Sequence, residues 1–219
     1  MQKEEVPEAL PLLSLRNTVL FPGVVIPITV GRDRSIRLVK EAHKKEHRIG
    51  VVSQKNDDIE VPNGEDLNSV GTVARVIKML RMPDGSNTVI LQGQKRFKWT
   101  SVVQEEPYMK ARVVEYDAEN LPPKDDEHKA LMESLKELAI EIIQLSPNIP
   151  SEAGFAIKSI ESLTFLVNFI GSNMNAPVEE KQALLEVAGI KARARKVLEL
   201  LSKEKQMLSL KRDIQTKVK

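Results

Sequence analysis

The residues best suited to chemistry in this sequence are two histidines and a glutamate in the segment HKKEH, residues 43–47. The spacing His-x-x-Glu-His matches the inverted zinc-protease signature, in which histidines one helical turn apart hold a metal ion. Such a site needs a long helix and a third ligand, whereas the helix predicted over residues 33–47, with Asp33 as its N-cap, must end where the strand-forming run IGVV begins. A metal hydrolase built on His43 and His47 is therefore the disfavoured hypothesis, and we expect no metal site.

Sequence patterns for other catalytic sites are missing as well. No two glycines have the spacing of a phosphate-binding loop, no G-x-G occurs, and no serine lies in a G-x-S-x-G elbow. The sequence contains no cysteine, which excludes disulfides, thiolate catalysis and cysteine-ligated metals, and favours a reducing compartment. We therefore expect a chain that is not itself an enzyme and binds no cofactor.

The apolar stretch RNTVLFPGVVIPITVG, residues 16–31, raises the question of a membrane anchor or a signal peptide. Its uninterrupted apolar part is shorter than the roughly 20 residues that a helix needs to cross a bilayer. The preceding MQKEEVPEAL lacks the basic region of a signal peptide, and no small-residue cleavage site follows. The sequence thus predicts a cytoplasmic protein with no membrane contact.

Charge is distributed unevenly along the chain. Residues 189–219 hold ten Lys and Arg against three Asp and Glu, a net charge of +7 within a total of +2, which leaves −5 for residues 1–188. A basic helix of this kind allows a weak contact with DNA. Few aromatic residues accompany the charges, however, so base stacking has little support and a solvated helix is the favoured interpretation.

The first half of the sequence has the character of a β domain. Short β-branched runs are separated by turn signals such as Pro83-Asp84-Gly85, and one helix interrupts them. This pattern predicts a small barrel-like or sandwich domain, with Pro27 suited to an edge strand. The predicted strands cover residues 10–15, 24–30, 48–54, 71–82, 87–93, 96–104 and 108–116.

The second half has the apolar spacing of helices. After LPPKDD, residues 121–126, apolar side chains recur at the 3.6-residue period up to Leu145, and SPNIPS ends that helix. Further helices are predicted over residues 156–171, with Ser151 able to cap their start, from Pro177 to Gly189, and over residues 190–217. We predict an α+β protein with a barrel-like β domain at residues 1–120, followed by an all-α bundle at residues 124–219 that ends in a long connector helix.

Two segments of the β half carry a family resemblance. LPLLSLRNTVLFPGVVIPITVGRDRSI and EDLNSVGTVARVIKMLRMPDGSNTVILQGQKRF resemble the amino-terminal domain of Lon proteases. The helical half is similar to the same family in PVEEKQALLE and LLSKEKQMLSLKRDIQTKV, so the resemblance covers nearly the whole chain. Gln92 departs mildly from the family pattern, in which a glutamate is commoner before the glycine.

The resemblance implies a PUA-like fold for the β domain at residues 1–120 and a role in substrate recognition. It predicts a non-catalytic, hexamer-organising region of an ATP-dependent Ser–Lys protease, with unfolded or misfolded proteins and other copies of itself as partners. It also implies a truncated chain, in which the ATPase domain that uses ATP and Mg²⁺ and the peptidase domain lie outside this sequence. A free-standing adaptor or RNA-binding module of the same type stays open as the alternative, although the long last helix favours a connector.

A binding surface for unfolded chains requires exposed apolar area rather than a deep pocket. Two apolar places in the β half meet this description, one in the opening stretch and one at the end of the predicted hairpin. Their other interpretation is ordinary core packing, with methionine as a gap filler. The predicted substrate-binding residues are Phe21, Pro22, Met79, Leu80, Met82 and Pro83.

Overall fold

The computed structural model describes residues 5–118 and 121–218, and within them the chain forms six strands and six α-helices. The strands are β1 (Ala9–Leu15), β2 (Val25–Val30), β3 (Ile49–Ser53), β4 (Val70–Arg81), β5 (Asn87–Gln104) and β6 (Lys110–Glu115). The helices are α1 (Asp33–Lys45), α2 (Asp126–Leu145), α3 (Ala153–Ser159), α4 (Leu163–Asn173), α5 (Val178–Glu186) and α6 (Ile190–Lys217).

The six strands form one curled sheet in the order β2-β5-β4-β3-β1-β6, and β5 also pairs with β6. Because β5 is 18 residues long, its first half pairs with β2 and β4 while its second half reaches β6. This second pairing joins β5, β4, β3, β1 and β6 into a circuit and leaves β2 at an edge. The sheet is barrel-like without being a true barrel.

The sheet unit has two core clusters. One lies between the inner face of the sheet and α1, and the other gathers strand residues such as Leu12, Val73 and Phe97. Leu38, Val39 and Ala42 of α1 are buried in the same cluster as Val89 and Leu91 of β5. These positions follow the amphipathic spacing of a helix and the two-residue alternation of a strand, so each element presents one apolar side.

A hydrogen bond from the Tyr108 hydroxyl to Glu41 also ties α1 to the sheet. Burial, together with that bond to the carboxylate, raises the pKa of Tyr108 to about 12. The phenol therefore remains protonated at neutral pH and can act as the donor in this bond.

The contacts between residues divide the chain into two compact units. The described part of Met1–Ala118 together with Val178–Leu185 forms the first, called here the sheet unit, and Glu119–Pro177 with Glu186–Lys219 forms the second, the helical unit. Helix α5 belongs to the sheet unit because Gln182 donates to the carbonyl of Val70 and buried Arg96 donates to the carbonyl of Leu185.

The division into domains at residues 1–120 and 124–219 stays a prediction. The grouping of α5 with the strands is a feature that the sequence analysis did not anticipate. The predicted domain limits at residues 1–4, 119–120 and 219 lie outside the described residues.

The helical unit packs α2, α4 and α6 around buried leucines, and polar contacts fix the start of two of these helices. Asp125 caps α2 by accepting from the backbone N–H of His128, and its carboxylate also accepts a hydrogen bond from Lys191. The hydrogen bond from Lys191 is the largest of the effects that lower the pKa of Asp125. Inside the unit, fully buried Arg193 donates to Asn168, so a charged side chain in the core keeps a polar partner.

The predicted fold class is confirmed, and several element boundaries differ. The predicted strands 87–93 and 96–104 are one continuous β5 with register shifts, since Gly93 continues the strand instead of ending it. The predicted helix 156–171 is two helices, α3 and α4, and Ser162 caps the second by accepting from the backbone N–H of Phe165.

Two predicted N-caps were wrong by one residue. Arg32, without a side-chain bond, occupies the N-cap of α1, and Asp33 is the first helical residue. Glu152 holds the N-cap position of α3 in place of Ser151. Among the described residues, no helix has both the length and the apolar character that a bilayer span requires.

Helix α6 changes character along its length. Its last buried residue is Leu201, and beyond it the side chains are half-buried or exposed, including Met207, Leu210 and Ile214 at more than half of their full exposure. Helical turns without tertiary packing are marginally stable in water.

We therefore predict a gradient of hydrogen exchange along α6 in dilute solution. Amides of residues 194–201 should be protected by packing, and those of residues 207–217 should exchange far faster. Exchange measured by NMR or mass spectrometry tests this expectation. Strong protection of residues 207–217 at concentrations where the chain is monomeric would contradict it.

Candidate functional site

The structure separates the six predicted surface residues into three groups. Phe21 is completely buried and Pro22 is buried beside it, whereas Leu80, Met82 and Pro83 are exposed. Met79 is half-buried and packs against the core cluster of the sheet unit. The hairpin formed by β4 and β5 is thus available to a partner, while the opening stretch is not.

The burial of Phe21 and Pro22 corrects the expectation that they lie on a binding surface. The chain crosses β5 closely here: the backbone N–H of Gly23 donates to the carbonyl of Gly93, and that of Gly93 donates to Val24. A Cβ added at Gly93 would lie 2.3 Å from the carbonyl oxygen of Phe21. This close crossing directs the Phe21 ring into the interior.

The β4–β5 hairpin ends in a turn held by its own side chains. The N–H of Met82 donates to the carbonyl of Ser86, and the N–H of Gly85, at φ 88°, donates back to Met82. Hydrogen bonds from the Ser86 hydroxyl and N–H lower the pKa of Asp84, so its carboxylate stays ionised and holds the turn. Leu80 and Met82 are therefore presented on an ordered element.

Strand register extends the hairpin into a larger apolar surface. One row across β2, β5 and β4 consists of Pro27, Ile90 and Lys78. The next row on the same face, two residues away, consists of Thr29, Thr88 and Leu80. Side chains alternate between the two faces of a sheet, so residues in these rows share the face opposite α1. We call this surface the outer face; its apolar members are Val25, Pro27, Ile77, Leu80, Met82 and Ile90.

The apolar members of the outer face are unusually open to solvent for their type. Val25 is 53% exposed, Ile77 45%, Met82 41% and Leu80 37%. Ile77 lies at a register shift of β4, where a bulge adds a residue to the strand. Contiguous exposed apolar residues of this kind mark interaction surfaces more often than isolated ones do.

Basic residues border the outer face. Arg75, Lys78 and Arg81 are exposed on β4 among the apolar residues, and Asp84 lies in the turn. Mixed cationic and apolar character suits extended polypeptides, because the stems of Lys and Arg add apolar contact while their charges stay hydrated.

The histidine motif does not adopt the helical geometry of a zinc-protease site. Helix α1 ends at Lys45, and Glu46 adopts a left-handed conformation, so His47 lies beyond the helix on which a zinc-protease motif depends. His43 lies 3.4 Å from the carbonyl oxygen of Val76. Within residues 5–118 and 121–218, no group of three potential metal ligands comes together.

The basic helix α6 is partly neutralised by neighbouring acids. Lys191 and Arg195 contact Glu127, Lys205 contacts Glu141, and Lys196 and Lys203 contact Glu199. Paired surface charges of this kind contribute little to stability and attract a polyanion less than isolated ones do. This arrangement favours a solvated helix over a DNA-binding one.

Comparison with known proteins gives the same family from a family model and from individual relatives. The pattern of the "ATP-dependent protease La (LON) substrate-binding domain" matches residues 9–203. The Lon protease of Flavobacterium johnsoniae is 56% identical over 219 residues, which cover all of this chain and 27% of that protease. The Lon protease of Cytophaga hutchinsonii is 49% identical over 218 residues, which cover 100% of this chain and 27% of that protease. The chain thus spans about a quarter of these relatives.

Two solved structures share the fold. The N-terminal domain of Mycobacterium avium complex Lon protease aligns with a TM-score of 0.72 at 19% identity, over 89% of this chain and 98% of that one. The Lon N-terminal domain protein from Xanthomonas campestris aligns with a TM-score of 0.63 at 18% identity, over 87% of this chain and 97% of that one.

The different burial of Phe21 and Met82 predicts different effects of the same substitution. Phe21→Ser should lower the free energy of unfolding by roughly 3–5 kcal/mol, because it leaves a cavity and buries a hydroxyl. Met82→Ser should change it by no more than about 0.5 kcal/mol. Urea unfolding of the two variants measures both values. A Phe21→Ser variant as stable as the parent would contradict the buried position.

Proposed function

The chain belongs to the substrate-binding domain family of ATP-dependent protease La (LON), and we propose that it recognises unfolded or misfolded polypeptides for an ATP-dependent protease of that family. The observation that supports the proposal is the outer face, an ordered and exposed surface on β2, β5 and β4 that combines apolar and cationic side chains. Unfolded chains differ from folded ones mainly in their exposed apolar side chains, and a flat apolar surface binds such side chains without requiring one sequence.

In this proposal the chain itself carries out no catalysis. Hydrolysis of ATP with Mg²⁺ and cleavage by a Ser–Lys dyad belong to other parts of the protease, and this chain delivers the substrate. Assembly of six copies would place six outer faces together, which raises the apparent affinity for a long substrate through effective concentration. A cytoplasmic setting, in which unfolded chains arise, is part of the same proposal.

The affinity of one copy should be low. Each exposed apolar side chain that is removed from water contributes about 1–2 kcal/mol, and ordering a flexible substrate offsets much of the gain. A dissociation constant in the micromolar range or weaker is therefore expected for a single chain. Such weak binding suits a protein that must release substrate to a translocating enzyme.

We predict that removing apolar area from the hairpin weakens substrate binding. The variant Leu80→Ser with Met82→Ser should bind a permanently unfolded, carboxymethylated polypeptide about three- to tenfold more weakly than the parent, as measured by fluorescence anisotropy. Val103→Ser with Val114→Ser is the matched control, since both valines are half-exposed on the part of the sheet where β5 pairs with β6. This control should bind like the parent.

The result that would overturn the proposal is equal binding by both folded double variants and the parent. The same titration, carried out with RNA, distinguishes the proposed recognition of polypeptides from the alternative of an RNA-binding module. Binding to single-stranded RNA that exceeds binding to the polypeptide, and that falls steeply as salt rises, would favour that alternative, because release of counterions governs nucleic-acid affinity.

A further inference from the structure

A groove in the sheet unit lies between the end of β1 and β2. It encloses about 630 Å³ and is lined by residues of both strands, such as Ser14 and Thr29, by Arg32 after β2, and by Val61 of the loop after β3. The outer face already described is formed by side chains of β2, β5 and β4, whereas the groove follows the backbone of β2 along its edge.

The main chain of β2 offers hydrogen-bonding groups to this groove. Val24 accepts from the N–H of Gly93, and register places Ile26 opposite Leu91 and Ile28 opposite Val89. Hydrogen-bonded and non-bonded pairs alternate in an antiparallel ladder, so Val24, Ile26 and Ile28 direct their groups towards β5. Pro27 and Thr29 then direct theirs to the other side, and Pro27, which has no N–H, fits such an edge position.

The end of β1 contributes a second edge. The N–H of Leu12 donates to Met109 on the β6 side, and the carbonyl of Leu15 accepts from Gln54 on the β3 side. By the same alternation the backbone of Ser14 points away from β3. Pairing of β1 with β6 covers only Ala9–Pro11, so β6 does not reach Ser14, which lines the groove.

Charged groups at one end of the groove favour an anionic ligand. Arg32 donates to the Ser14 hydroxyl at 3.0 Å and to Gln54 at 2.7 Å, and Arg16 donates to the carbonyl of Ile59 at 3.1 Å. Arg16, Arg32 and Glu60 line the same cavity, which gives this end a net positive charge. The two guanidinium groups repel each other, and a carboxylate between them would relieve that repulsion.

We propose that this groove binds an extended polypeptide segment with an acidic side chain, which adds as a strand along β2. Main-chain bonds to Thr29 and Pro27 supply affinity without sequence preference, and the arginines select a carboxylate. Regular pairing with the edge of another folded sheet is disfavoured, because Pro27 interrupts the donors, whereas a flexible segment adapts to one missing bond. The proposal rests on the proposed function only in that the occupant is unfolded substrate.

The test uses the 219-residue chain and a fluorescein-labelled ten-residue peptide of alternating threonine and valine with one central glutamate. Thr29→Pro removes an N–H that faces the groove and leaves the β5 ladder intact. The matched control is Thr29→Ala, which trims the side chain at the same position and keeps its N–H. Thr29→Pro should weaken binding at least about fivefold, and Thr29→Ala less than about twofold.

A second measurement does not depend on the folding of a variant. Peptides N-methylated at alternate residues keep only one hydrogen-bonding edge. The register of methylation that masks the edge facing β2 should abolish binding to the parent chain, and the register that masks the side facing the shorter edge of β1 should weaken it much less. Glutamine in place of the glutamate should weaken binding to the parent about two- to fivefold, and this difference should vanish in Arg16→Gln.

Equal binding of both methylated registers would overturn the added strand, as would unchanged binding by a folded Thr29→Pro. Equal binding of the glutamate and glutamine peptides would overturn the selection of an acidic side chain. The outer-face variant Leu80→Ser with Met82→Ser should bind the short peptide like the parent. The two proposals can therefore fail separately. If only the groove proposal is wrong, the long unfolded polypeptide still binds the outer face; if the proposed function is wrong, that polypeptide does not bind.

Discussion

The close crossing of residues 21–24 over Gly93 is the contact on which the sheet unit depends. Two backbone hydrogen bonds join Gly23, Val24 and Gly93, and the carbonyl of Phe21 occupies the place that a Cβ at Gly93 would need. Thr72 of β4 secures the same segment by donating from its hydroxyl to the carbonyl of Leu20 at 2.6 Å. A side chain at position 93 would move the crossing chain away and separate β2 from β5.

This crossing determines which apolar residues are buried and which remain exposed. By bringing β2 alongside β5 in a fixed register, it places Ile26 and Ile28 against the core and Val25 and Pro27 on the opposite face. The core is completed by α1 on the inner side. On the outer face, by contrast, Val25, Ile77, Leu80 and Met82 remain exposed among the described residues.

Much of the architecture could be predicted from the sequence because it depends on local patterns. The period of 3.6 residues identified α2 and α6 almost to their ends, and Pro83-Asp84-Gly85 identified the hairpin turn that exposes Met82. The position of Phe21 could not be predicted in this way, because its burial depends on Gly93, 72 residues away. The one sign of burial in the sequence was the uninterrupted run of four apolar residues from Val19 to Pro22. The packing of α5 with the strands also depends on distant partners, Val70 and Arg96.

The central claim is that the outer face recognises unfolded polypeptides. The most direct test is a ¹⁵N–¹H correlation titration of the chain with a permanently unfolded, carboxymethylated polypeptide at moderate salt. The account predicts that shift changes concentrate on the amides of Ile77, Leu80 and Met82 and their neighbours across the sheet, Thr88 and Ile90. Changes concentrated on the basic residues of α6, with the hairpin amides unmoved, would contradict it.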